Sequence, residues 1–141
     1  MNARTYGRGF TLLEVMVVLA ILAILAALAL PIYMNYITRS RIRIAQSDLL
    51  ALSASVENHR QRTLLYPTAT LSGTAAVTGR FTGWTPASKP TDFSFTYATD
   101  ASGYRITATG VSSRLAGCSA SLTAANARTT AGCPNVGDLS W

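Results

Sequence analysis

GFTLLEVMVVLAILAILAALALP, residues 9–31, decides how the rest of the chain is read. Val15 to Leu30 is uninterrupted apolar sequence, and no comparable run occurs elsewhere. From Leu12 to Leu30 the stretch approaches the roughly 20 residues that a helix needs to cross a bilayer. An ordinary secretory signal has a shorter apolar core with a small-residue cleavage site after it. Here the run is longer and the small residue, Gly9, comes first, so the reading is a membrane-inserted helix. Arg4 and Arg8 precede the run and Arg39, Arg41 and Arg43 follow it, so flanking charge gives no orientation. Glu14 is the anomaly, because a carboxylate deep in a lipid-embedded helix costs roughly 2–4 kcal/mol. Two readings of it are open. Either it stays wet near the interface, where the positive end of the helix favours it, or it meets a partner.

Outward from this segment the helix continues. No glycine lies between Phe10 and Ser72, and Pro31 is the only proline before Pro67. One helix from about Phe10 to Leu64 is therefore predicted, about 80 Å long at the α-helical rise. Pro31 takes away the hydrogen bond to Ala27 and crowds its carbonyl, so a kink or local melting is expected there. Past Arg39, residues Ala45, Leu49, Leu52, Val56 and His59 recur at three- and four-residue spacing, the signature of one buried face. Arg41, Arg43, Asp48, Glu57 and Arg60 fall mainly elsewhere on the helix. His59, ending the stripe, reads as a partly buried, hydrogen-bonded residue.

Tyr66-Pro67 ends the helix, since a residue before proline avoids the α region. Residues 65–90 read as a Thr/Ala/Gly-rich connection with a short strand around Arg80–Trp84. Phe93, Phe95 and Tyr97 alternate, as do Tyr104, Ile106 and Ala108, and Asp100 to Gly103 separates them as a turn, which makes a hairpin. A further strand is expected around Leu115–Leu122. The tail runs through Pro134 and a Gly-containing loop to Trp141.

Twelve basic residues, eleven of them arginine, face six acidic ones. Such a balance raises the question of a nucleic-acid partner. Along the sequence, however, the arginines are dispersed and not interleaved with aromatics, so a DNA partner is left open and unsupported. The two cysteines, Cys118 and Cys133, form no CxxC pair, and a lone His59 offers no companion ligands, so no metal site is expected. If the chain is exported, one disulfide is the natural reading. No nucleophile with its base, paired carboxylates or phosphate loop stands out, and neither an enzyme nor a cofactor is expected.

Gly9-Phe10-Thr11-Leu12-Leu13-Glu14, the apolar run and Pro31 together resemble the class III signal of type IV prepilins, and the short basic leader resembles the type IVa group. The likeness is strong over residues 7–65 and looser beyond, where the compact size and cysteine pair most resemble PilE-type minor pilins. It implies an α+β pilin fold: one long N-terminal helix, hydrophobic in its first half and amphipathic in its second, packed on a small antiparallel sheet. It implies three parts, a leader of residues 1–9, a transmembrane and filament-core segment of residues 10–37, and a headgroup of residues 38–141. A prepilin peptidase would cut after Gly9 and N-methylate Phe10. Glu14 would then pair with the Phe10 amine of a neighbouring subunit, relieving a buried carboxylate and a buried amine together. The helix would loosen before Pro31 inside the filament. Cys118 to Cys133 would enclose a surface loop.

The implied protein is a non-enzymatic structural subunit, held in the inner membrane and then extracellular. Its partners would be other pilins, the peptidase and the inner-membrane assembly platform, with twitching motility or adhesion as the outcome. The minor-pilin reading is favoured over the major pilin of the same filament. A type II secretion pseudopilin is the further alternative. It is disfavoured because Asp92, Asp100 and Asp138 are not clustered as a calcium site in the C-terminal loops would require.

Overall fold

The computed structural model describes residues 9–101, 103–134 and 141. The leader residues 1–8, Ser102 of the expected turn, and the loop 135–140 with Asp138 lie outside the described residues. The chain divides into two compact units, 1–34 and 35–141.

In the first unit, helix α1, Leu12–Thr63, begins on Thr11. The Thr11 hydroxyl accepts a hydrogen bond from the Glu14 N–H at 3.2 Å, an N-terminal cap with glutamate at the third helical position. The cap and the dense run of helix-compatible Leu, Ala and Met explain why the helix starts here. The helical run passes through Pro31 unbroken. Every described residue up to Tyr36 is exposed, and α1 holds an 18-residue window with mean hydropathy 3.0, long and apolar enough to cross a membrane.

The second unit is built on the rest of α1. Ile42, Ala45, Leu49, Leu52 and Val56 are fully buried, extending the expected stripe back by one turn. They meet one face of a four-stranded antiparallel meander, β1 (Phe93–Asp100), β2 (Gly103–Gly110), β3 (Ser119–Thr123) and β4 (Arg128–Ala131), in the order β1-β2-β3-β4. The period of two is obeyed: Phe93, Phe95 and Tyr97, then Tyr104, Ile106 and Ala108, then Ala120 and Leu122 point into the core. In β4, Thr130 faces inward and accepts a hydrogen bond from Gln46 of α1 at 3.1 Å.

Three expectations are corrected. Residues 74–80 form a short helix α2 (Thr74–Arg80) and the segment Arg80–Trp84 is not a strand. The missed signal is that Val77, Phe81 and Trp84 stand at four- and three-residue spacing, and all three are buried. The strand expected from Leu115 begins later: Ser113–Leu115 is a 3-10 turn that buries Leu115, and β3 starts after Cys118. Asp48, expected off the buried stripe, is buried. Its carboxylate accepts from the N–H groups of Ala87 at 2.8 Å and Ser88 at 2.9 Å, and from the Ser88 hydroxyl. Trp84 donates its indole N–H to the Asp48 carbonyl at 3.1 Å. A buried carboxylate needs several donors, and these fix the loop 84–88 to the helix.

Candidate functional site

Two places in the chain concentrate residues whose chemistry the fold does not consume. The first is the start of α1. Gly9, Phe10 and Glu14 are all exposed, Phe10 to 80 %. An aromatic beside a glycine and a carboxylate on the first helical turn are thus open to solvent. The Thr11 cap sets Glu14 on the first helical turn, where its carboxylate lies near the positive end of the helix. Pro31 is exposed on the same helix.

The second place is the end of the headgroup at which α1 stops. Tyr66 is the hub. Its hydroxyl donates to Glu57 at 2.8 Å and accepts from Arg60 at 3.2 Å, and the Arg60 guanidinium lies 4.8 Å from the ring centroid. On its other side the ring packs edge-on against Tyr104 at 5.2 Å. Gly103, at φ +126°, opens β2 directly beneath it, where an added Cβ would lie 2.9 Å from both the Tyr66 ring and Ala124. The helix end, the β1–β2 turn and the β3–β4 turn therefore converge on one tyrosine.

Several arginines stand on the elements that meet at this end. Arg60 and Arg62 occupy the last turn of α1. Arg80 ends α2, near enough to the Tyr97 hydroxyl to favour its ionised form. Arg105 stands on β2 beside the turn, 3.7 Å from Asp100. Arg128 opens β4, bonds Asn126 at 3.2 Å and lies over the Trp141 ring. All five are exposed. Two carboxylates, Glu57 and Asp100, offset part of this charge through ion pairs at 3.6 and 3.7 Å. Exposed pairs of this kind are worth well under about 1 kcal/mol, and leave the arginines available to a better anion. The sequence shows only dispersion; the meander returns Arg128 to this end of the sheet, whereas Arg105, between the inward-facing Tyr104 and Ile106, stands on the opposite face.

Between the rim and the core lies a neutral aromatic stack. Tyr97 and Tyr104 are parallel at 6.0 Å, Phe81 meets Tyr97 at 5.3 Å, and His59 meets Phe81 edge-on at 6.1 Å. Burial, first among the causes, raises the phenols of Tyr66, Tyr97 and Tyr104 above the ordinary value, and the Glu57 carboxylate adds to it at Tyr66 and Tyr104. These rings carry no charge at physiological pH. His59 is half-buried against this stack.

Leu64 and Leu65 project from the same end, 83 % and 74 % exposed. Leu64 takes the left-handed conformation, φ +64°, as the residue closing α1, with its N–H bonded to the Arg60 carbonyl at 2.6 Å. Glycine is the usual occupant of that position, and a branched side chain there costs on the order of 1 kcal/mol.

The opposite end of the sheet is closed. Cys118, buried, and Cys133 form a disulfide that clamps the open end of the β3–β4 hairpin. The chain ends approach so closely there that a Cβ on Gly132, φ +67°, would overlap the Gly117 carbonyl. Arg41 pairs with Asp92 at 2.9 Å on this side, so Asp92 and Asp100 sit at opposite ends of β1. Among the described residues no group of three His, Cys, Asp or Glu side chains could hold a metal ion.

Two family models match the chain. One, described as a prokaryotic N-terminal methylation motif, covers residues 4–30. The other, described as type IV minor pilin ComP, DNA uptake sequence receptor, covers residues 31–131. No curated protein and no solved structure matches.

Proposed function

Because this chain belongs to the family of the type IV minor pilin ComP, we propose that it is the subunit through which its pilus grips double-stranded DNA, using the arginine-bearing end of the headgroup. The frame for that proposal is firm. The protein is a structural subunit of a type IV pilus, a minor pilin, anchored in the inner membrane by its apolar helix and then extracellular in the filament. It is processed by a peptidase and assembles with other pilins.

Within that frame, we assign the cut to the Gly9–Phe10 bond, methylation to the Phe10 amine, and assembly to the pairing of Glu14 with that amine on a neighbouring copy. Residues 10–37 are the bilayer and filament-core segment and residues 38–141 the headgroup. Loosening at Pro31 lets the segment adapt to its neighbours, since the proline already lacks one helical hydrogen bond. Both the exposure of residues 9–36 and the methylation motif over residues 4–30 support this division of labour.

The observation that carries the DNA reading is the exposed pair Arg60 and Arg62 on the last turn of α1, with Arg128 opening β4 at the same end of the sheet. Guanidinium groups bind phosphate oxygens through paired, charge-assisted hydrogen bonds, and they stay charged at any physiological pH. The two turns and the helix end supply a framework that the Tyr66 contacts hold rigid. Arg60 is already oriented by Tyr66, which lowers the entropy lost when it binds. The family's own description as a DNA uptake sequence receptor agrees with this chemistry.

The test is fluorescence anisotropy of a labelled duplex with the detergent-solubilised, processed chain over a salt series. Three to five phosphate contacts give a slope of log K on log salt of about −3 to −5. Selection from a random duplex pool then reads any sequence preference. Absence of binding at about 50 mM salt, where such contacts are strongest, would end the reading.

A further inference from the structure

The arginine rim explains affinity for phosphates but leaves its most conspicuous neighbours without a role. Leu64 and Leu65 are the two most exposed large apolar side chains of the described headgroup. They sit between Arg62 and Tyr66, in the middle of the proposed DNA contact. Leu64 is held outward by a backbone conformation that branched residues rarely adopt, φ +64°. The hold is specific: the Leu64 N–H donates to the Arg60 carbonyl at 2.6 Å, and the Thr63 hydroxyl bridges the carbonyls of His59 and Leu65 at 2.9 and 3.0 Å. A merely solvated helix end would carry glycine or a polar residue at this place. Here a rigid apolar tip emerges from a cationic surface.

We propose that Leu64 and Leu65 form a wedge that enters the DNA groove and partly unstacks one base step, so that this headgroup bends the duplex it holds. The inference rests on the DNA reading given above and deepens it. Charge complementarity selects the occupant. Arg60 and Arg62 precede the tip within one helical turn, so a polyanion held by them brings its bases against the leucines. Apolar side chains flanked by arginines are the arrangement by which minor-groove proteins kink DNA, and the penalty for unstacking is lowest at flexible pyrimidine–purine steps. A preference for such a step therefore arises without a hydrogen bond to any base. Burying two leucines against bases recovers apolar area that the free protein leaves in water, which gives the strained conformation of Leu64 a use.

The experiment uses the full processed chain in detergent and duplexes carrying 2-aminopurine at successive positions. Wild-type protein is expected to raise the fluorescence severalfold at one or two adjacent positions, as a base leaves the stack. The double variant Leu64→Ser/Leu65→Ser should lose that rise and bind about tenfold more weakly with the salt slope unchanged. Leu65→Phe should keep the rise. Leu64→Gly should melt at a higher temperature yet give a smaller signal, separating the wedge from fold stability. Wild-type binding with no change of fluorescence at any position would overturn the wedge while leaving the DNA reading standing. No DNA binding by wild type would overturn both. A double variant that unstacks DNA normally but fails to enter filaments would assign the leucines to a contact with another pilin instead.

Discussion

The first turns of α1 and the arginine-bearing rim of the headgroup are both exposed, and for opposite reasons. Residues 10–36 are almost all apolar and exposed to solvent, so they need lipid or other copies of the helix around them. The rim is cationic, ordered by Tyr66 and the two turns, and complete within a single headgroup. One surface finds its partner by removing itself from water; on the DNA reading proposed above, the other does so by exchanging small counterions for a polyanion. The two should therefore fail independently, and that independence is where the comparison can be broken.

The largest effect is expected at the helix. Glu14→Ala should leave cleavage after Gly9 intact and reduce the amount of the chain in sheared filaments by at least about tenfold, the cost of an unpaired amine in lipid. DNA binding by the solubilised variant should be unchanged. Normal incorporation, read by quantitative mass spectrometry, would remove the pairing role from Glu14.

Next comes the clamp at the opposite end of the sheet. Replacing Cys118 and Cys133 by serine should lower headgroup stability by about 3 kcal/mol, the loop-closure contribution for a 15-residue separation. Thermal melting with and without reductant measures it. Because β4 carries Arg128, DNA binding should weaken modestly, whereas Arg60 and Arg62 on α1 keep their positions.

At the rim itself, Arg60→Ala with Arg62→Ala should weaken duplex binding roughly ten- to thirtyfold and flatten the salt slope by about 2. Filament incorporation should not change. Equal losses in both assays would mean the rim is a pilin contact.

The smallest effect lies in the ring stack. Tyr97 and Tyr104 hold their protons above the ordinary phenol value, mainly through burial. The folded state thus binds protons more tightly than the unfolded chain. The stability this contributes is complete below about pH 10, where the unfolded phenols begin to ionise, and is lost as the pH rises through the folded values. Melting temperatures between pH 7 and 11 should fall only at the alkaline end, and Tyr104→Phe should blunt the fall.

How legible each region is in the sequence follows from the same contrast. The helix signal is linear: glycine, phenylalanine, glutamate, an apolar run and proline at fixed spacing, so residues 9–31 can be read without a fold. The alternating aromatics of β1 and β2, the stripe from Ala45 to Val56 and the cysteine pair are legible for a similar reason, because each is periodic or compositional. The rim is not, since Arg128 is brought to this end of the sheet only after three strand reversals. The burial of Asp48, placed off the stripe by its spacing, is not legible because its donors lie some forty residues away in an irregular loop. Helix α2 was hidden by its small residues, although the spacing of Val77, Phe81 and Trp84 was there to be counted.

The most direct test joins the two regions in one assay: DNA capture by intact sheared filaments that contain equal, mass-spectrometrically verified amounts of wild-type or Arg60→Ala/Arg62→Ala subunit. The expected result is at least about tenfold less duplex retained by the variant filaments at low salt, in keeping with phosphate contacts that dominate affinity there. Equal capture at equal incorporation would contradict the assignment of the rim as the place where this pilus holds DNA.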